Sequence, residues 1–343
     1  MILDQSEQVA PSPEENDARP KILRTVVLSL IAGGLAVASF TVPLPMFTVD
    51  PGPAPSTADL IEIDARTFES KGEFHITTVT LSEATFVDSV RGWVSPDVGV
   101  LPRSAVYPPD QTEQEVDTEI AAQMDESQYA AAVSALQELG YGLEMNGALV
   151  RATIKGTPSE KKIKPGDVIV AVAGTPIAAV EDLQTQLSRH SVGSELTLAI
   201  LRDEKPHEEK VRLVQRPEVS ENPVVGVEVL QNFRLPFPIK IDAGSIGGPS
   251  AGLMFALAIV DLLDVDDLTA GRIIAGTGEI LPDGTVRPIG GVTQKVEGAE
   301  RVKARVFIVP AGEAEEAKRA VDGNMKVIGV ASLHDAVAAL REG

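Results

Sequence analysis

The stretch GSIGGPSAGLMFALAIVDLL, residues 244–263, constrains this chain more than any other. From Leu253 to Leu263 only Asp261 is polar, so a helix here is apolar on every side and must lie inside a core. Its mouth has the opposite character. Gly247 and Gly248 let the backbone approach a bound molecule closely, and Pro249 presets the helical φ where its missing N–H costs nothing. Ser250, flanked by the supporting residues Gly248, Pro249 and Ala251, then stands where a helix N-terminus offers unpaired amides and a partial positive charge. Such a turn can stabilise an oxyanion beside a serine hydroxyl. An N-cap serine has the same sequence pattern, and the stretch alone fits both readings.

A serine nucleophile needs a base. GGVTQKVEGAERVKA places Lys295 after two glycines, with Val292, Val296 and Ala299 around it at helical spacings that predict burial. Burial disfavours the ammonium form, and moving a lysine from about 10.4 to near 7 costs roughly 4–5 kcal/mol, within the reach of desolvation. Between the two, AGTGEILPDGTVRPIGG reads as strand, Asp283-Gly284 turn and strand, and its Thr277 has a hydroxyl suited to holding the lysine.

Other chemistries find little support. The chain has no cysteine, which excludes disulfides and thiol catalysis. Its four histidines, His75, His190, His207 and His334, are scattered without metal-ligand spacing. The carboxylates of DLLDVDD, 261–267, lack the alternation of a calcium loop and read as a solvated helix end. His75 lies in a strand with no orienting acid indicated. No metal and no cofactor are therefore expected. A net charge of −20 repels phosphate backbones, so nucleic acid is not an expected partner.

The N-terminus reads as a polar cytosolic tail over 1–24, followed by an uncharged run from Thr25 to Val42 long enough to span a bilayer. Arg19, Lys21 and Arg24 precede this 25–43 anchor and the next basic residue is Arg66, so the positive-inside rule puts the N-terminus in the cytoplasm and the rest of the chain outside. Ala36–Ser39 resembles a cleavage site, which leaves a removed signal peptide as the alternative. Strands are expected at 59–64 and 72–81, a long proline-rich loop at 94–117, and a helix over 126–139. A compact βαβ-like module follows, with a strand at 147–154, another after the Pro-Gly-Asp turn of KKIKPGDVIVAVAGTPI, strands at 195–203 and 209–217 and a helix over 180–190.

Within that module I-x-x-G-D-x-I-x-x-V-x-G, Ile163 to Gly174, resembles the signature of PDZ domains of the bacterial protease type. The resemblance implies capture of peptide ends by strand addition, with Leu139, Gly140, Tyr141 and Gly142 matching the carboxylate nest. A spacing or gating role remains open beside it. GGPSAG, GTGEI, DGTVRPIGG and QK, in this order, resemble the proteolytic domain of Lon proteases, the Ser-Lys peptidases. The resemblance implies Ser250 as nucleophile, Lys295 as general base and Thr277 as their supporting threonine. It departs at Gly247, where Lon enzymes usually carry aspartate, a departure shared by membrane-anchored Lon-like proteins with a PDZ domain. DLIEID and the strand after it resemble the opening of the same domain.

The implied fold is α+β: a Lon proteolytic-domain fold with an inserted PDZ domain, preceded by one N-terminal transmembrane helix. Its parts are a first protease segment over 50–120, the PDZ domain over 125–218 and the catalytic segment over 219–343, with an independent N-terminal cap as the alternative to an interrupted domain. No G-x-x-x-x-G-K-[ST] loop occurs, so an ATP-independent peptidase is expected, acting on extracytoplasmic or membrane-associated proteins. The family also implies a ring-shaped homo-oligomer. The rival reading is a non-catalytic, membrane-anchored PDZ scaffold with a degenerate protease fold.

Overall fold

The computed structural model describes residues 18–95, 98–216 and 220–342, so most of the expected cytosolic tail lies outside the described residues. The chain divides into two units, Met1–Asp50 with Thr80–Val106, and Pro51–Val79 with Tyr107–Gly343.

In the first unit an α-helix runs Ala18–Thr41 and stops where Pro43 would lack its helical hydrogen bond. Its stretch Leu23–Thr41 has mean hydropathy 1.8 and is long and apolar enough to cross a membrane. The strand Pro43–Pro51 lies between Val79–Thr85 and Gly99–Pro102 in a three-stranded sheet. The expected long loop therefore contains an edge strand. A short helix, Phe86–Val94, starts on a capping box in which the Asp88 amide donates to Thr85 Oγ1 and the Thr85 amide to the Asp88 carboxylate.

In chain order the second unit holds β1 (Glu73–Ile76), α1 (Glu113–Glu138), β2 (Glu144–Thr153), β3 (Val168–Val172), α2 (Val180–Ser188), β4 (Glu195–Arg202), β5 (Lys205–Arg212), β6 (Val227–Arg234), α3 (Gly252–Leu263), β7 (Ile273–Gly276), α4 (Val292–Arg301), β8 (Val306–Pro310) and β9 (Lys326–Val330). Strands β9, β8, β7 and β1 lie side by side, all parallel. Strand alternation sends Ile274 and Ile308 to one face, against α3, and Ala275, Phe307 and Val309 to the other, against Val292, Val296 and Ala299 of α4. The apolar helix read from the sequence is thus the centre of the core: every residue of α3 from Gly252 to Asp261 is buried.

Two features depart from the reading of local pattern. Strand β1 pairs with β7, Phe74 opposite Ile274, so a segment before the module and a segment after it share one sheet. Helix α1 begins at Glu113, within the expected loop, on a second capping box between Thr112 and Glu115. It packs Met124, Ala130, Ala131 and Ala135 against the α3 core, the small alanines allowing close helix approach.

The second sheet runs β5-β4-β3-β2-β6, antiparallel throughout, around Ile163, Ile169, Leu183, Leu187, Leu198 and Ile200. Asp167 of the Gly-Asp turn is buried and receives two guanidinium hydrogen bonds from Arg202, at 2.8 and 2.7 Å. The sheet extends beyond residue 218, because β6 is its edge strand.

The shared parallel sheet predicts that a fragment limited to 219–343 lacks β1 and α1, uncovers Ile274 and one side of α3, and fails to fold cooperatively. Thermal melting followed by circular dichroism checks this; a sharp native-like transition would contradict it.

Candidate active site

Ser250 sits in the 3₁₀ turn Pro249–Ala251 that opens α3 and is half-buried. Gly248 enters the turn at φ 83°, a left-handed conformation that glycine adopts without strain. The loop is strapped to α1: the Gly248 amide donates to Ile120 O at 3.0 Å and Ser127 Oγ donates to Pro249 O at 2.9 Å. The space is full there. A Cβ on Gly247 would stand 2.4 Å from Ile120 Cγ2, and one on Gly252 2.6 Å from Ser127 Oγ.

Thr277 immediately follows β7, at the carboxyl end of the parallel sheet, the edge where open α/β sheets place their ligands. It is fully buried, and its hydroxyl donates to Ser250 O at 3.0 Å while the Gly278 amide donates to the same oxygen at 2.8 Å. Lys295 comes from α4 on the opposite face of the sheet and is 3% exposed. Its Nζ lies 3.0 Å from Ser250 Oγ and 3.1 Å from Thr277 Oγ1. The threonine has one hydroxyl proton and gives it to Ser250 O, so toward Lys295 it acts as acceptor. A neutral lysine that donates one N–H to Thr277 can then turn its lone pair to the Ser250 hydroxyl.

Burial lowers the Lys295 pKa from 10.5 to about 8, opposed by the negative charge of Glu313. Glu313 accepts from the Ile289 amide at 3.0 Å. No local sequence signal marks it, nor Ser127 and Ile120, because each reaches the site only through tertiary packing. A cavity of about 280 Å³ opens beside Pro249, lined by Gln123, Glu126, Ser127, Arg151, Glu279, Ile280 and Arg287. Glu126 binds Arg151 at 2.7 Å, and burial raises its carboxyl above the usual range despite that partner.

Ala251 follows Ser250 in the same turn and is buried in the α3 core. The other sequence candidates lie apart from this group. Leu139, Gly140, Tyr141 and Gly142 follow the end of α1, where the first three amides donate to Ala135 O, Gln137 O and Leu136 O. Both ring nitrogens of His75 are engaged, Nδ1 with Ala54 O at 2.7 Å and Nε2 with Glu73 at 2.8 Å. In the 261–267 stretch Asp261 accepts from the Leu268 amide, Asp264 pairs with Arg341 and Asp267 accepts from Thr269. Among the described residues no cluster of three or more histidine or carboxylate side chains could hold a metal ion.

Residues 232–341 match the Lon protease (S16) C-terminal proteolytic domain, and residues 122–213 match the PDZ domain. The chain carries a Lon-type proteolytic domain and a PDZ domain. A Lon protease of Roseiflexus castenholzii is 40% identical over 80 residues, 23% of this chain and 10% of that protein. Lon protease 2 of Bacillus subtilis is 32% identical over 90 residues, 26% of this chain and 16% of that protein. A probable periplasmic serine endoprotease, DegP-like, of Bartonella henselae is 27% identical over 168 residues, 48% of this chain and 33% of that protein. The chain thus aligns with only a small part of the Lon proteases and a third of the DegP-like protein. Among solved structures, the PDZ domain of an SdrC-like protein from Listeria monocytogenes is 15% identical at a TM-score of 0.23, covering 26% of this chain and 94% of its own.

In this Lon-type domain the Gly247 position is filled by Ile120. Gly247→Ala is expected to destabilise the loop and lower turnover, and Ile120→Ala in the same chain to restore part of both. A double-mutant cycle on melting temperature and peptide cleavage checks the coupling, which additive losses would exclude.

Proposed function

We propose that this chain is a serine endopeptidase in which Ser250 is the nucleophile and Lys295 the general base. The observation that carries the reading is the contact of 3.0 Å between Lys295 Nζ and Ser250 Oγ, made by a lysine whose burial brings its pKa to about 8. Ser250 Oγ attacks the peptide carbonyl carbon while its proton passes to Nζ. The first turn of a helix leaves its amides without intrahelical acceptors, and in this reading those of Ser250 and Ala251 stabilise the oxyanion. The proton then goes from Nζ to the leaving amine as the C–N bond breaks. Water hydrolyses the acyl-enzyme by the reverse route, giving its proton to Lys295 and releasing the acid.

The protease domain is read as interrupted, its first segment supplying β1 and its last segment Ser250, Thr277 and Lys295. The absence of a phosphate loop from the sequence supports action without ATP, on unfolded or membrane-released proteins. The apolar helix with basic residues before it supports a retained anchor, a cytoplasmic N-terminus and an extracytoplasmic catalytic domain. The partial likeness to a protein named as a periplasmic endoprotease fits that placement.

Lys295→Arg is expected to leave the melting temperature near wild type yet lower kcat/KM on a fluorogenic peptide by on the order of 10³-fold, since arginine stays protonated. In the wild type only the neutral lysine is active, so kcat/KM should rise with pH through about 8 and level off above it. Glu313 favours the ammonium, so Glu313→Gln should move that limb to lower pH. A pH-independent rate, or an active Lys295→Arg chain, would remove Lys295 from the chemistry.

A further inference from the structure

We infer that β6 occupies, in cis, the groove in which the PDZ unit would otherwise take up an extended peptide. A peptide joins such a unit by adding an antiparallel strand to a sheet edge, its C-terminal end at a backbone nest. With β6 removed, β2 would be that edge, with α2 beside it and loop 139–142 at its start. Strand β6 lies along β2 in the corresponding direction: Val227 faces Thr153 and Arg234 faces Glu144, so its C-terminal end points toward the loop. Val227 and Val229 pack on the core of the unit together with Val180 of α2.

The side chain of Gln231 ties both walls together. Its Oε1 accepts from the Val180 amide at 3.1 Å, and its Nε2 donates to Ala178 O at 2.9 Å and Gly147 O at 3.2 Å. Outside the groove the Tyr129 hydroxyl donates to Gln231 O at 3.2 Å and accepts from the Phe233 amide at 2.7 Å. The loop is closed as well, since the Gly140 and Tyr141 amides both bond α1 carbonyls at 2.9 Å. The PDZ unit is therefore liganded by its own chain. It acts as a clamp on the segment that leads through Ile239–Ile241 to the Ser250 turn, and not as a receptor for substrate ends.

The test is a binding measurement, independent of the proposed chemistry. The full chain carrying Ser250→Ala is titrated into a fluorescein-labelled peptide of sequence VEVLQNFR with a free carboxylate, and anisotropy is followed. A tethered strand out-competes a free one by on the order of 100-fold or more, so no saturable binding is expected. Leu230→Pro, which disturbs the β6 ladder, should expose the edge and allow binding. Because that variant can unfold the unit, a second measurement stands beside it. Leu149 and Leu230 face each other across the ladder, and the chain has no other cysteine to compete with Leu149→Cys/Leu230→Cys. Complete intramolecular crosslinking on oxidation is expected. Peptide binding by the Ser250→Ala chain as tight as by Leu230→Pro, a folded Leu230→Pro chain that refuses the peptide, or a cysteine pair that stays reduced would overturn the inference.

A second, independent observation lies in the first unit, and rests on reading Ala18–Thr41 as a membrane anchor. We propose that helix Phe86–Val94 lies on the bilayer surface. Phe86, Val90 and Trp93 share one face by their spacing and are 57%, 44% and 93% exposed. Ser89 Oγ meets Met46 Sδ at 3.9 Å and Arg91 pairs with Asp50 at 3.7 Å, which holds the helix on the strand that begins directly after the anchor. An apolar, aromatic face beside a span fits the interfacial zone of lipid.

Trp93 is the chain's one tryptophan, so its emission reports this face alone. In phosphatidylcholine–phosphatidylglycerol vesicles carrying the full chain, blue-shifted emission is expected, quenched by lipid labelled with doxyl near the headgroup. Vesicle-associated protein whose Trp93 is not quenched would overturn the surface helix and leave the anchor standing. Failure to associate with vesicles would overturn both.

Discussion

The structure depends on the removal of one ammonium group from water. Lys295 points into the seam where α3, α4 and the end of β7 meet, and burial there disfavours its charged form more than the Glu313 charge favours it. Its pKa of about 8, against 10.5 for a free lysine, means that the folded chain binds fewer protons than the unfolded chain between those values. Stability therefore rises with pH through that window. Below about 8 both states carry the proton and the fold bears a cost of about 3 kcal/mol, at roughly 1.4 kcal/mol per pKa unit. The core around α3 has to tolerate that cost, with Thr277, Val292, Val296 and Ala299 all buried beside Lys295.

The oxygen network does the positioning. Ser250 O receives two hydrogen bonds, from Gly278 and Thr277, which fixes the turn against β7 and leaves the threonine able only to accept from Lys295. On the other side α1 holds the same turn through Ile120 O and Ser127 Oγ. A glycine at 247 follows from that second strap. The position at which the family usually carries aspartate is occupied here by the Ile120 side chain, so the loop is set by packing against a helix and not by an added acid.

The PDZ unit and the Lon-type domain are linked by more than chain continuity. Helix α1 covers α3 while its Tyr129 bonds β6, and β6 completes the PDZ sheet before the chain turns back to the catalytic segment. A perturbation of that sheet has a short covalent path to Ser250.

The sequence by itself determined the elements whose signal is local. Eleven nearly unbroken apolar positions after Gly252 require a buried helix; Asp283-Gly284 requires a hairpin, seen as Ile280 opposite Val286; the Gly-Asp turn at 166–167 requires the module's first tight corner. Ser250, Thr277 and Lys295 were legible as candidates because their types and neighbours restrict what they can do. Their meeting was expected from the resemblance and not from local pattern, and the tertiary structure supplies its geometry: Ser250 and Lys295 come from opposite faces of a parallel sheet and touch where β7 ends. The capping box at Thr112 was readable yet lay hidden among prolines, so α1 was expected too short. The pairings of β1 with β7 and of β2 with β6 were beyond local reading, because strand partners are chosen by long-range burial and hydrogen-bond satisfaction, which no spacing within one segment records.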